Sequence, residues 1–144
     1  MDVDQVLDAL ERERELLREF HDLSTQQLAL LDNENLEDMS KLLDARSDLM
    51  LELTAIETTL GTWITQLRNE SKITSEVLKE LRLINDEIVH LANEIVELDE
   101  QTHWRLDLVK QKAADDLRRL NRSNQMLTTY SATLRIQPNF KING

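Results

Sequence analysis

At 144 residues, with 40% apolar but only 3% aromatic residues, the chain has the length of one domain. Its leucine-rich, ring-poor composition suits helices packed along seams rather than a core closed by aromatic rings. A charged fraction of 31% leaves no run near the ~18 apolar residues of a membrane-spanning helix, and zero cysteines exclude disulfides and thiolate chemistry. The acidic opening Met1-Asp2-Val3-Asp4 lacks the basic and apolar regions of a secretory signal, so a cytoplasmic location is expected.

Helix breakers are almost absent. Before Pro138 there is no proline and one glycine, Gly61; Pro138 and Gly144 then fall within the last seven residues. Because proline and glycine cost about 3 and 1 kcal/mol inside a helix, the sequence reads as a few very long helices and a short tail. The expected fold is all-α: an elongated antiparallel bundle of three long helices forming a single domain over 1–134, with a flexible tail over 135–144.

The first helix is expected from about Asp2 to Leu31. Val3, Val6, Leu7, Leu10, Leu17, Phe20, Leu23, Leu28 and Leu31 recur at steps of three and four, and the charged stretch Glu11–Glu19 directs only Leu16, Leu17 and Phe20 inward. Asp32-Asn33-Glu34-Asn35, a cluster of cap formers, breaks it. The second helix is expected from about Leu36 to Arg68, with heptad lines through Leu36, Leu43 and Met50 and through Leu42, Leu49, Ile56 and Trp63. Such a wide apolar face suits two neighbours, and Gly61 on it reads as a point of close helix approach, with a kink as the alternative. Thr74 is placed to cap a third helix running from Ser75 to about Leu134. At about 1.5 Å per residue, its roughly 60 residues span about 90 Å. Its seam is Val77, Leu81, Ile84, Ile88, Leu91, Ile95 and Leu98, resuming as Leu106, Val109, Ala113, Leu117, Leu120, Leu127 and Leu134. The polar patch Asp99–His103 marks a bend or a change of packing partner, with the second half uncovered or shared with a partner.

Charge divides the chain. Residues 1–100 carry 9 Lys/Arg against 25 Asp/Glu, and residues 101–144 carry 8 against 3. The basic stretch (Arg105, Lys110, Lys112, Arg118, Arg119, Arg122) is expected to lie against the acidic first helix and set the register of the bundle. Nucleic acid is excluded as a main partner because the rest of the surface repels it and no aromatic stacking set exists; anionic membrane is excluded likewise, and no membrane insertion is expected.

Catalytic chemistry finds little support. Glu87-Ile88-Val89-His90 and Glu100-Gln101-Thr102-His103 both read Glu-x-x-His, a pair used in di-iron bundles. They lie on one helix, thirteen residues or about 20 Å apart, so one chain cannot join them in one centre. His21 reads as a surface residue, Trp63 and Trp104 as seam residues, and the carboxylates as solvated without a concave pocket. No enzyme activity, metal or cofactor is expected. After the last helix, Ile136, Phe140 and Ile142 alternate with polar residues, so the tail reads as a frayed end or as a segment docking through those three side chains.

Three stretches carry a family resemblance: the opening helix Ala9–Leu17, the polar turn and leucine-rich helix start Asp32–Arg46 with Leu49, Met50 and Leu53 after it, and the long last helix ending in a tyrosine and a short tail. Together they resemble the FlgN/FliT-type flagellar export chaperones. The resemblance implies binding of C-terminal helical segments of hook-associated or filament-cap subunits, protection from premature assembly, and delivery to an export gate protein, with Tyr130 matching the gate-docking tyrosine. Physically, a client helix would lie along Leu106, Val109, Ala113, Leu117, Leu120 and Leu127, burying apolar area at about 25 cal/mol per Å². Arg118, Arg119 and Arg122 would form an electrostatic rim selecting acidic client residues. The competing expectation is a structural coiled-coil protein that homodimerises through its third helix and has no client.

Overall fold

The protein is described by a computed structural model covering residues 2–33 and 35–134, with side chains described for all of these except Leu36 and residues 130–134. Among the described residues there are three α-helices and no strand: α1 (Val3–Asn33), α2 (Leu36–Asn69) and α3 (Ser75–Leu134). Each start has a stated chemical cause. At α1, Asp2 Oδ1 accepts from the Gln5 backbone N–H at 2.9 Å while Gln5 Oε1 accepts from the Asp2 N–H at 3.1 Å, a reciprocal capping box. Asn35 caps α2 by accepting from the Asp38 N–H at 3.2 Å. Thr74 Oγ1 accepts from the Val77 N–H at 3.2 Å and caps α3, as its position in the sequence predicts.

The α2–α3 turn closes without glycine. Ser71 takes φ 57°, and the Lys72 and Ser71 N–H groups donate to the carbonyls of Leu67 and Arg68 at 3.0 and 3.1 Å. That pair of bonds satisfies the last carbonyls of α2 in a Schellman arrangement, with serine in the left-handed position glycine usually fills.

The chain divides into two units, Met1–His103 and a second beginning at Trp104. In the first, α1, α2 and the early part of α3 run up, down and up. Val6 and Leu10 pack with Leu60 and Leu67 of α2 and with Leu81 and Ile88 of α3. Leu16 and Phe20 pack with Leu53 and Ile95 in a second cluster. Consecutive helices are therefore antiparallel, and α1 runs parallel to this part of α3. Each helix buries a stripe at steps of three, four and seven, the pattern of an amphipathic helix. The wide face of α2 is only half used: Leu42, Leu53, Leu60 and Leu67 are buried, while Leu43 and Met50 are exposed.

Four expectations change. α1 reaches Asn33 rather than Leu31. Gly61 is not a point of close approach, since a Cβ built there meets nothing within 4 Å. Trp63 packs against the first cluster, but Trp104 is 64% exposed. Glu13 joins the inward positions of the charged stretch of α1.

Two stability measurements follow from this packing. Leu67→Ala should cost about 2–5 kcal/mol in denaturant unfolding, because Leu67 is fully buried. Gly61→Ala should stabilise by roughly 0.5–1 kcal/mol, because the methyl enters open space on a helix that gains backbone stiffness.

Candidate helix-binding surface

In the second unit α3 continues as a helix to Leu134. A helix turns about 100° per residue, which places Leu106, Val109, Ala113, Leu117, Leu120 and Leu127 within one arc of about 100°. Leu106 is half-buried and the other five are exposed. Leu117, Leu120 and Leu127 stand at 58%, 56% and 57% exposure, whereas Leu81, Ile88 and Ile95 on the seam of the same helix in the first unit are buried. An apolar stripe left in water over several turns is the mark of an interaction surface. Asn124 sits inside the same arc, and Asp116 at its border.

The expected rim splits. Arg119 lies about 80° from the nearest border of the stripe, Arg118 about 100° from the other border, and Arg122 about 140° away on the opposite side of the helix. Arg118 Nη2 instead pairs with Asp115 Oδ1 one turn back at 3.1 Å. On the helix, Lys112 occupies the line of Arg119, one heptad earlier. The side chain of Tyr130 and the tail residues Ile136, Phe140 and Ile142 lie outside the described residues.

Within the first unit, arginines of α1 and α2 make the polar links that hold the register of the helices. Arg12 reaches Glu52 at 3.3 Å, and Arg14 and Arg18 both reach Glu87 at 3.1 and 3.4 Å. Arg46 of α2 makes the closest link among all three helices. Its Nη2 donates to both oxygens of Asp99 at 3.0 and 3.1 Å, its Nη1 donates to Gln27 Oε1, and its guanidinium lies 4.5 Å over the Phe20 ring. Two nitrogens directed at different helices, with the guanidinium plane over a ring, fix orientation in a way a lysine could not. Beside it, buried Ser24 donates its hydroxyl to the Phe20 carbonyl, and Thr102 Oγ1 is buried without a hydrogen-bond partner.

Two of the three histidines are engaged with a carboxylate. His21 Nε2 lies 2.8 Å from one oxygen of Glu94 and His90 Nε2 lies 2.9 Å from the other, so His21 is a half-buried bridging residue and not a plain surface one. With Glu87 held by arginines, the first Glu-x-x-His pair is not assembled as a pair. Among the described residues no three His, Asp or Glu side chains converge as metal ligands, and no helix is long and apolar enough to cross a membrane. Carboxylates do line one concavity: Glu19, Asp22, Asp48 and Glu52 surround Leu23, Ala45 and Leu49 in an open groove of about 420 Å³ between α1 and α2. Sequence periodicity could not show this groove, because it depends on the stagger of two helices.

No protein-family model matches the chain, and neither the curated proteins nor the solved structures give a match.

One carboxyl is set apart by its surroundings. Burial on the inner face of α1, and secondarily the Glu57 carboxylate, push the Glu13 carboxyl above the usual carboxylate range. A raised carboxyl in the folded state holds its proton more tightly than in the unfolded chain, so its burial destabilises increasingly as pH rises from the ordinary carboxylate range through the raised one. Glu13→Gln should therefore raise Tm by a few degrees at pH 7, and the gain should vanish in thermal scans below the ordinary carboxylate pKa.

Proposed function

We propose that this chain captures amphipathic helices, acting as a cytoplasmic flagellar export chaperone of the FlgN/FliT type. Its clients are the C-terminal helical segments of hook-associated or filament-cap subunits, which it keeps unassembled and hands to an export gate protein. Tyr130, near the end of α3, is the residue assigned to that gate contact. The observation that carries the reading is the contrast between two stretches of one helix. The seam of α3 is covered in the first unit, by Leu81, Ile88 and Ile95 packing on α1 and α2, but in the second unit Leu117, Leu120 and Leu127 stand exposed. A client helix laid there gains about 1.5–3 kcal/mol for each leucine it covers, enough to hold an export substrate reversibly. The chemistry is that of binding alone.

Replacing Leu117 and Leu120 together by Asp tests the reading. Because both are exposed, each change should alter stability by no more than about 0.5 kcal/mol, leaving circular dichroism and Tm unchanged. Affinity for a hook-associated subunit should fall by a hundredfold or so, the loss of about 3 kcal/mol. If helicity and Tm fall together with binding, these leucines belong to a core and the reading fails.

A further inference from the structure

One edge of the apolar stripe carries cations along its length, and that edge specifies its partner. Resting on the helix-capture reading above, we infer that the occupant is an amphipathic helix carrying carboxylates along a single edge, aligned with Lys112 and Arg119. These two cations are seven residues apart and follow one line beside Ala113 and Leu120 of the stripe. Arg105 falls on the same line one heptad earlier. The other border differs: Lys110 begins it, but Leu117 and Asn124 follow at the same spacing. Arg118 and Arg122 face away, and Arg118 is paired with Asp115. Asp116, one turn from each of Lys112 and Arg119, is the one carboxylate at the basic border among the described residues. Asn124 lies within the stripe, where a single polar position in an apolar seam fixes register against a polar partner residue.

A second copy of the same helix does not meet these requirements. In a parallel pair Asp116 would lie near its own counterpart at the border of the seam, and in an antiparallel pair the Lys112–Arg119 edge would face itself. Either arrangement offers at most the single Asp116 of each copy against Lys112 and Arg119, so cations stay unmatched, and like charges brought together oppose association. An acidic-edged helix satisfies both cations while covering the leucines.

Two synthetic peptides of about 25 residues test this with the full chain. Both carry leucine at the a and d positions of a heptad, with glutamate along one edge in the first and lysine there in the second. Fluorescence anisotropy should show the glutamate-edged peptide binding at least about tenfold more tightly, with the preference shrinking as salt rises from about 50 to 200 mM. The double change Lys112→Glu with Arg119→Glu should reverse the preference. Arg118→Glu with Arg122→Glu alters net charge by the same amount and should leave it within about twofold. Equal binding of the two peptides by the parent protein, or equal effects of the two double changes, overturns the edge while leaving the stripe standing. If neither peptide binds, the helix-capture reading falls and the inference falls with it. The comparison between peptides on the parent protein needs no variant to fold.

Discussion

Apolar surface on a helix can leave water only where another helix runs beside it, and this requirement decides the character of each part of the chain. Where α1, α2 and the early part of α3 run together, leucines spaced by seven are buried in two clusters. Where the second unit begins, leucines of the same periodicity are exposed. One sequence pattern thus serves as core in one stretch and as available surface in another. The difference lies in the neighbours and not in the residues.

Hydrophobic seams alone do not choose a register, because leucine rows accept shifts of a turn at little cost. The polar contacts supply that choice. Exposed pairs such as Arg12–Glu52 contribute on the order of 0–1 kcal/mol each, so their value is in orientation more than in stability. Arg46 differs, since its guanidinium is largely covered and meets Asp99, Gln27 and the Phe20 ring at once. A shifted register would leave that cation without partners in a poorly hydrated place, which is the stronger penalty. Glu13 works in the opposite sense, as a carboxyl whose ionised form is disfavoured by burial on the inner face and by Glu57.

Helix boundaries were legible because their signals are local: the caps Asn35 and Thr74 act within three residues, and breakers are nearly absent. The exposure of the second half of α3 was legible from its length. Three features were not, and each depends on a relation between distant residues. The inward turn of Glu13 requires knowing which side of α1 two neighbours occupy. The open space at Gly61 requires the outer contour of α2. The bridging place of His21, which reaches Glu94 of α3, requires knowing which residues of α3 lie beside α1. The rim of Arg118, Arg119 and Arg122 illustrates a different limit. Nearness in sequence suggested one cluster, but a helix sends consecutive residues to different sides.

The short connections on either side of α2 also bear on how the molecule forms. α1 and α2 are separated by two residues, and α2 and α3 by the five residues from Glu70 to Thr74, with Ser71 already shaped for reversal. Contacts between consecutive helices therefore close small loops, while Arg14–Glu87 and Arg18–Glu87 span 73 and 69 positions. Loop-closure entropy and the general dependence of rate on contact order favour hairpins first and the α1–α3 contacts last. Folding would then be fast, with the parallel pairing of α1 and α3 acting as the latch that completes it.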